Sequence, residues 1–336
     1  MRRFHLEGPG LAGLMLRLDS PPTPGPGQVL IAMRANSLNA RDRLVLEGYL
    51  RPAPGVVPVS DGAGMVVAVG EGVTRISVGD RVVGAFRQGW IDGPLAPGLP
   101  GAADLGCARD GMLGEWALLD AEGVVHIPAT MTIEDAACFP CAGVTAWSAL
   151  QAGRPVSAGD TVLILGSGGV SLFALQLARL AGARVIATTA SAARGEKLRA
   201  LGASAVINYH TTPDWQDEVL KHTGGQGVDR VVEVGGGGTL ERSIRCVRIE
   251  GVIALVGLLA VPSRIDPTPI MARALTLKGI SVGSRLDLEK VLRRFAEAEL
   301  SPVIDRRFSF EAAADALACL GGSDRFGKLV ITYPEP

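Results

Sequence analysis

The stretch VLILGSGGVSLFALQLA, residues 162–178, constrains this chain's fold more than any other. Val162 to Leu165 form an apolar run that reads as a buried strand, and Gly166, Gly168 and Gly169 let the backbone turn sharply with no Cβ in the way. Val170, Phe173, Ala174, Leu177 and Ala181 then recur at the spacing of a helix face. Strand, glycine turn and helix in that order point helix N–H groups and the positive end of a dipole at a turn free of side chains. Such a site suits a pyrophosphate. The expected cargo is a dinucleotide, held by Gly166, Ser167, Gly168, Gly169 and Val170.

A glycine turn can also merely reverse the chain, and here the third position of the Gly-x-Gly-x-x-Gly pattern is Ser171. The context decides for the nucleotide. AGARVIATT (181–189), ASAVINY (203–209), VDRVVEVGG (228–236) and GVIALVGL (251–258) are apolar strand patterns separated by helix-length segments. Alternating β and α units predict a parallel, doubly wound sheet in an α/β fold. In NAD-binding units a carboxylate about 20 residues past the turn takes the ribose 2′-OH. The second strand here runs into TTASAARGEK (188–197), with no acid before Glu196. Thr188, Thr189 and Ser191 offer hydroxyls, and Arg194 offers a fork of donors that matches a phosphate. That pattern favours NADPH, although Arg194 also reads as a solvated helix-surface charge.

The first 125 residues differ in texture, with short β-branched runs cut by Gly and Pro: GQVLIAM (27–33), GMVVAVGEGV (64–73), GDRVVGAF (79–86) and GEWALLDAEGVVHIP (114–128). A mainly β domain is expected there. The Arg87–Cys107 loop is long and rich in Gly, Pro and Ala, a composition often found in lids. After LTLKGISVG (275–283), a helix pattern LDLEKVLRRFAEAEL (286–300) and a closing FGKLVITY (326–333) are expected to return to the first domain, leaving a cleft between two lobes. The domains read as 1–127 with 285–336, and 128–284.

Composition excludes several function classes. With 47% apolar residues, 20% charged residues and a net charge of −1, the chain has no electrostatic reason to bind nucleic acid or a membrane surface. No apolar run is long enough to span a bilayer, and MRRFHLEGPG lacks the apolar stretch of a signal peptide. Five cysteines without a secretion signal argue against a disulfide framework and for the cytoplasm.

ANSLNARDRLVLEGY (35–49), VPVSDGAGMVVAVGEGVTRISVGDRV (57–82), GEWALL (114–119), CAGVTAWSAL (141–150), GSGGVSLFALQLA (166–178), VVEVGG (231–236) and FGKLVI (326–331) together resemble the medium-chain dehydrogenase/reductase superfamily. Within it they are most similar to the zinc-free quinone oxidoreductase and enoyl reductase branch. The resemblance runs collinearly over nearly the whole chain. It implies a GroES-like catalytic domain, a Rossmann domain, NADPH as hydride donor and a homodimer. It also implies cofactor contacts at Thr145, Tyr209, Gly235, Gly257 and Lys328, for each of which turn or surface chemistry is the plainer alternative.

A catalytic zinc needs about three ligands drawn from Cys, His and carboxylate. Where the zinc branch has its first cysteine this chain has Asn39, and where that branch has Gly-His-Glu it has Val59-Ser60-Asp61, so only Cys141 falls at a ligand-like position. Residues 87–113 hold one cysteine, Cys107, against the four ligands of a structural site, and the four histidines show no ligand spacing. No metal is expected. Cys138 and Cys141 in CFPC have redox spacing but apolar neighbours, which favours packing.

Without a metal, a carbonyl is polarised by hydrogen-bond donors, and hydride goes most readily to a conjugated carbon. An enone, enal, quinone or enoyl thioester is the expected small-molecule substrate. Tyr49 follows its segment much as a catalytic tyrosine does in enoyl thioester reductases, displaced by one residue, and serves as proton donor or oxyanion anchor unless it only lines the cleft. Asn39 offers its amide to substrate or ribose, while Arg41 and Asp42 read as an ion pair fixing the loop. Two other readings stay open: metal-free alcohol oxidation, and cofactor binding without catalysis.

Overall fold

The computed structural model describes residues 1–99, 103–257, 265–322 and 324–334. Residues 100–102 of the long loop and Leu258 at the end of the fourth expected strand pattern lie outside them. The chain divides into two units, Met1–Val144 with Val282–Pro336, and Thr145–Ser281.

The amino-terminal part of the first unit carries β1 (Arg2–Leu6), β2 (Leu14–Leu18), β3 (Gln28–Leu38), α1 (Ala40–Leu46), β4 (Asp61–Val69), β5 (Arg81–Gly84), β6 (Trp116–Asp120), β7 (Val124–His126) and α2 (Ile133–Ala137). The second unit follows with α3 (Val144–Gln151), β8 (Thr161–Leu165), α4 (Gly169–Leu180), β9 (Arg184–Thr189), α5 (Ala192–Ala200), β10 (Ala205–Asn208), α6 (Trp215–His222), β11 (Val228–Glu233), α7 (Leu240–Cys246), β12 (Val247–Leu255), α8 (Thr268–Ala272) and β13 (Thr276–Gly279). The tail adds α9 (Arg285–Glu297), β14 (Ile304–Ser309), α10 (Ala313–Ala318) and β15 (Lys328–Thr332) to the first unit.

The second unit is the doubly wound sheet that the β/α alternation predicts. Its strands lie in the order β10-β9-β8-β11-β12-β13, and every printed pairing among them is parallel. Val162, Leu163 and Ile164 are fully buried at its centre, as a strand covered by helices on both faces must be. Ser171, which replaces the third fingerprint glycine, is 1% exposed. Its Oγ donates to the Leu165 carbonyl at 2.7 Å, so a hydroxyl bond joins α4 to β8 where a glycine would allow bare contact.

In the first unit, β3 is the spine. Its first half pairs with β6 and its second half with β15, while β4 pairs along most of its length on the other side. The tail returns as the sequence expects: β15 runs antiparallel to β3, with Leu329 opposite Leu38. Helix α9 starts at Ser284, whose Oγ accepts from the Asp287 N–H at 3.1 Å, and buries Leu288, Val291, Leu292 and Phe295 on one face.

The first unit boundary lies at Val144/Thr145, later than the 127/128 drawn from sequence, and the second lies at Ser281/Val282, close to the 284/285 drawn. The reason is packing. The Phe139 ring meets Phe295 of α9 edge-on at 4.9 Å, and the Cys141 N–H reaches the Asp61 carboxylate at 3.0 Å. These contacts tie residues that precede α3 to the β unit. The long loop is anchored at its base, where Arg87 pairs with Asp104 at 2.5 Å.

Candidate functional site

The strand order of the second unit reverses direction between β8 and β11, and in open α/β sheets a ligand crevice forms at such a point, past the carboxyl ends of the strands. The glycine turn sits there. Gly166 has φ +72°, a region costly for side chains, and a Cβ built on Gly166 or Gly168 would meet nothing within 4 Å. The missing side chains thus leave open space in front of α4, whose first-turn N–H groups have no preceding carbonyl of their own helix to bond. A cavity of about 320 Å³ continues from the turn, lined by Leu165, Gly166, Thr188, Tyr209, Trp215, Val234, Gly235, Thr239 and Arg242 among others.

Four sequence-chosen positions, Gly166, Thr188, Tyr209 and Gly235, meet in that cavity wall. The Thr188 hydroxyl accepts from the Gly166 N–H at 3.3 Å, which holds the turn against β9. Thr189 is 1% exposed and its Oγ1 accepts from the Ser191 N–H at 3.4 Å. Ser191 caps α5, its Oγ accepting from the Arg194 N–H at 3.2 Å, so Arg194 stands in the first turn of that helix. Thr145 and Ser167 are buried, and Val170 is half-buried in the first turn of α4.

Gly257 serves a different end from the one the resemblance implies. A Cβ there would lie 2.0 Å from the Val234 carbonyl oxygen, so glycine is required by the chain's own backbone. Sequence reasoning also missed Glu233, Trp215, Thr239 and Arg242. Glu233, fully buried, accepts from the N–H groups of Gly235 and Gly236 at 2.8 and 3.0 Å and from Thr239 Oγ1 at 2.5 Å. That carboxylate shapes the loop forming one cavity wall. Its one sequence signal is an acid ending an apolar strand just before a glycine cluster.

In the first unit a second set of polar groups is buried together. Asn39 is the residue between β3 and α1, and its N–H donates to Asp42 Oδ2 at 2.7 Å. Arg41 lies 3.7 Å from Asp42, so the expected ion pair forms. Lys328 opens β15 opposite the end of β3, and its Nζ donates to Leu38 O at 2.7 Å and Asn39 Oδ1 at 2.5 Å. Asp61, 0% exposed, accepts from Ser60 Oγ at 2.8 Å, from the Cys141 N–H at 3.0 Å and from the Asn39 side chain. Burial raises the Asp61 carboxyl above its ordinary range, against the opposing pull of the Lys328 charge. Burial likewise raises Asp42, to about 6.

A family model described as an alcohol dehydrogenase GroES-like domain matches residues 25–129, and one described as a zinc-binding dehydrogenase matches residues 169–297. A zinc-type alcohol dehydrogenase-like protein of Schizosaccharomyces pombe is 39% identical over 91% of this chain and 91% of its own length. The chain belongs to the medium-chain dehydrogenase/reductase superfamily. Two solved members of similar shape cover 99% of this chain and 99% of their own. One, an NAD-dependent alcohol dehydrogenase, is 32% identical with a TM-score of 0.89. The other, a mycobacterial protein in complex with NADPH, is 27% identical with a TM-score of 0.84.

The zinc in those descriptions does not fit the donor set of this superfamily member. Zinc is held by thiolate, imidazole and carboxylate. Around Asp61 stand an amide, a hydroxyl and an ammonium, and burial drives the Cys141 thiol far above its usual range, away from the thiolate a metal needs. Among the described residues, no group of three or more His, Cys, Asp or Glu is arranged to hold a metal ion. Cys138 is buried and raised to about 12 by desolvation, the opposite of a redox thiol.

Two residues stand apart from their sequence roles. Tyr49 follows α1 with 74% of its surface exposed, so its phenol lies in water and outside the buried cluster. Lys328, 3% exposed, spends its Nζ on Leu38 and Asn39 rather than projecting from the surface. A second tyrosine joins this unit unannounced: the Tyr333 hydroxyl donates to Asn36 Oδ1, and burial raises it well above its ordinary value.

Proposed function

We propose that this oxidoreductase is NADPH-dependent and metal-free, and that it reduces the C=C bond of a conjugated carbonyl: an enone, enal, quinone or enoyl thioester. The observation that carries the reading is the buried cluster of Asn39, Asp61 and Lys328, which supplies hydrogen-bond donors and a positive charge in place of metal ligands. A bound nicotinamide supplies hydride. Everything else falls to the chain. The open turn at Gly166 and Gly168 with the N-terminus of α4 receives the pyrophosphate. Thr188, Ser191 and Arg194 meet the adenosine end, where β9 ends without a carboxylate before Glu196. The Asn39 amide stabilises charge developing on the carbonyl oxygen.

Tyr49 delivers the proton to the α-carbon. Because its phenol is in contact with water, solvent can take over part of this work when it is removed. The mycobacterial neighbour's NADPH supports the cofactor, while the NAD-dependent neighbour makes the preference a matter for measurement. Five free cysteines favour a reducing, cytoplasmic setting.

The test is NADPH oxidation against a panel of enones, enals and quinones, run alongside NADP⁺ reduction with secondary alcohols. Turnover of conjugated carbonyls, unchanged by EDTA and without stoichiometric zinc, is the expected result. Tyr49→Phe should lower turnover about tenfold and leave NADPH affinity unchanged, less than the hundredfold typical of a sequestered group. Alcohol oxidation alone would favour the second reading, which the neighbour described as an alcohol dehydrogenase supports. About one zinc per chain would overturn the metal-free reading.

A further inference from the structure

Lysine is seldom fully buried, because an ammonium stripped of water needs partners that restore what hydration gave. Lys328 is 3% exposed, and the two oxygens bonded to its Nζ, Leu38 O and Asn39 Oδ1, are both neutral. Its buried countercharge is Asp61, whose carboxyl the lysine draws down against desolvation. Asp42 also stands nearby but is served by Arg41, the largest of the charges acting on it.

The backbone is strained to bring Asp61 there. Val59, two residues earlier and fully buried, has φ +71°, a region a β-branched side chain strongly disfavours. Two glycines hold it in place: a Cβ on Gly111 would lie 2.2 Å from Val59 O, and one on Gly106 would lie 2.7 Å from Val59 N. Strain of this kind persists where the surroundings over-determine it, and it clusters at functional sites. From the other side, residues Phe139–Gly143 form a single π-helical turn that presents the Cys141 N–H to the same carboxylate.

We propose that Lys328 is the chain's own cation at the centre where zinc-type members hold a metal, and that it acts as a positioning residue through Asn39. By bonding Oδ1, the ammonium fixes the amide so that only its NH₂ group is left to donate, toward Asp61 and the reacting oxygen. This role replaces the nucleotide contact that the resemblance implies for Lys328. It deepens the proposed function and rests on Asn39 being a donor to substrate.

The experiment compares Lys328→Met, Asp61→Asn and the double variant in the full chain, by thermal unfolding, NADPH titration and steady-state kinetics with an enone. Either single substitution leaves one buried charge without its partner, so each should lower the unfolding midpoint by roughly 5 °C or more. The double variant should regain at least half of that loss. Its turnover should nevertheless stay on the order of tenfold or more below wild type, because the amide has lost its anchor. NADPH affinity should stay within about twofold throughout, since the cluster's work is on the amide.

A merely structural lysine would restore turnover together with stability, which would overturn the positioning role. A double variant no more stable than the weaker single, or a tenfold weaker NADPH affinity in Lys328→Met at unchanged stability, would overturn the proposal outright. If Lys328→Met fails to fold, the double variant decides, because a neutral pair should fold and an unfolded one counts against us. Should wild type turn over no conjugated carbonyl, the functional reading fails while the stability coupling still judges the lysine.

Discussion

Cofactor choice is decided by single side chains after β9. Arg194 is fixed in the first turn of α5 by the Ser191 cap, close to where a ribose phosphate would lie if the turn holds the pyrophosphate. A hydrogen bond to a charged group contributes about 1.5–3 kcal/mol. Arg194→Ala should therefore weaken NADPH by about ten- to a hundredfold and barely alter NADH, as measured by titrating each cofactor into the variant. Equal losses for both would show the arginine to be structural. This residue was legible in the sequence because a missing acid and a present arginine are both local facts. Lys328 was not. Its partners Leu38 and Asn39 lie 290 and 289 residues away in the chain, and only the antiparallel register of β15 on β3 brings them together.

Elements show how alike two glycines look in sequence and how differently they work. Gly168 precedes α4 at φ −78°, an ordinary value, with nothing within 4 Å of a built Cβ. Gly257 follows β12 with a Cβ position 2.0 Å from the Val234 carbonyl. Gly168→Val should leave thermal stability within about 1 kcal/mol of wild type, as expected where no contact is lost, and abolish binding of NADPH and NADH alike. Gly257→Ala should instead lower the unfolding midpoint, because the backbone must shift to admit the methyl group. A Gly168→Val protein that binds either cofactor normally would remove the pyrophosphate from this turn. One that unfolds early would show that the open space is needed by the chain itself.

At the scale of the whole molecule, β13 is an edge strand of the six-stranded sheet, with Thr276 and Lys278 exposed. Among the described residues its one strand partner is β12. An unpaired edge is a template for another strand unless it is covered. We propose a homodimer in which two copies meet along this edge, consistent with the near-neutral net charge of −1. Light scattering should give twice the chain mass, and Lys278→Pro, which removes a backbone donor from the edge, should shift the population toward monomer. A wild-type monomer at micromolar concentration would dispose of the idea. No described helix is long and apolar enough to cross a membrane.

The sequence by itself determined the elements whose signals are local. The strand, glycine turn and helix of residues 162–178, the β/α alternation after them and the return of the tail were readable because periodicity and glycine conformation act within a few residues. The positions that a zinc branch fills with ligands were readable too, as Asn39, Ser60, Asp61 and Cys141. Only the tertiary structure decided what those positions became. Burial, the left-handed Val59, the π turn at Phe139–Gly143 and the β3–β15 register gather them with Lys328 into one buried charge network. The same holds for the boundary after Val144 and for the water around Tyr49. Desolvation and long-range pairing set these features, and neither leaves a mark on residues adjacent in sequence.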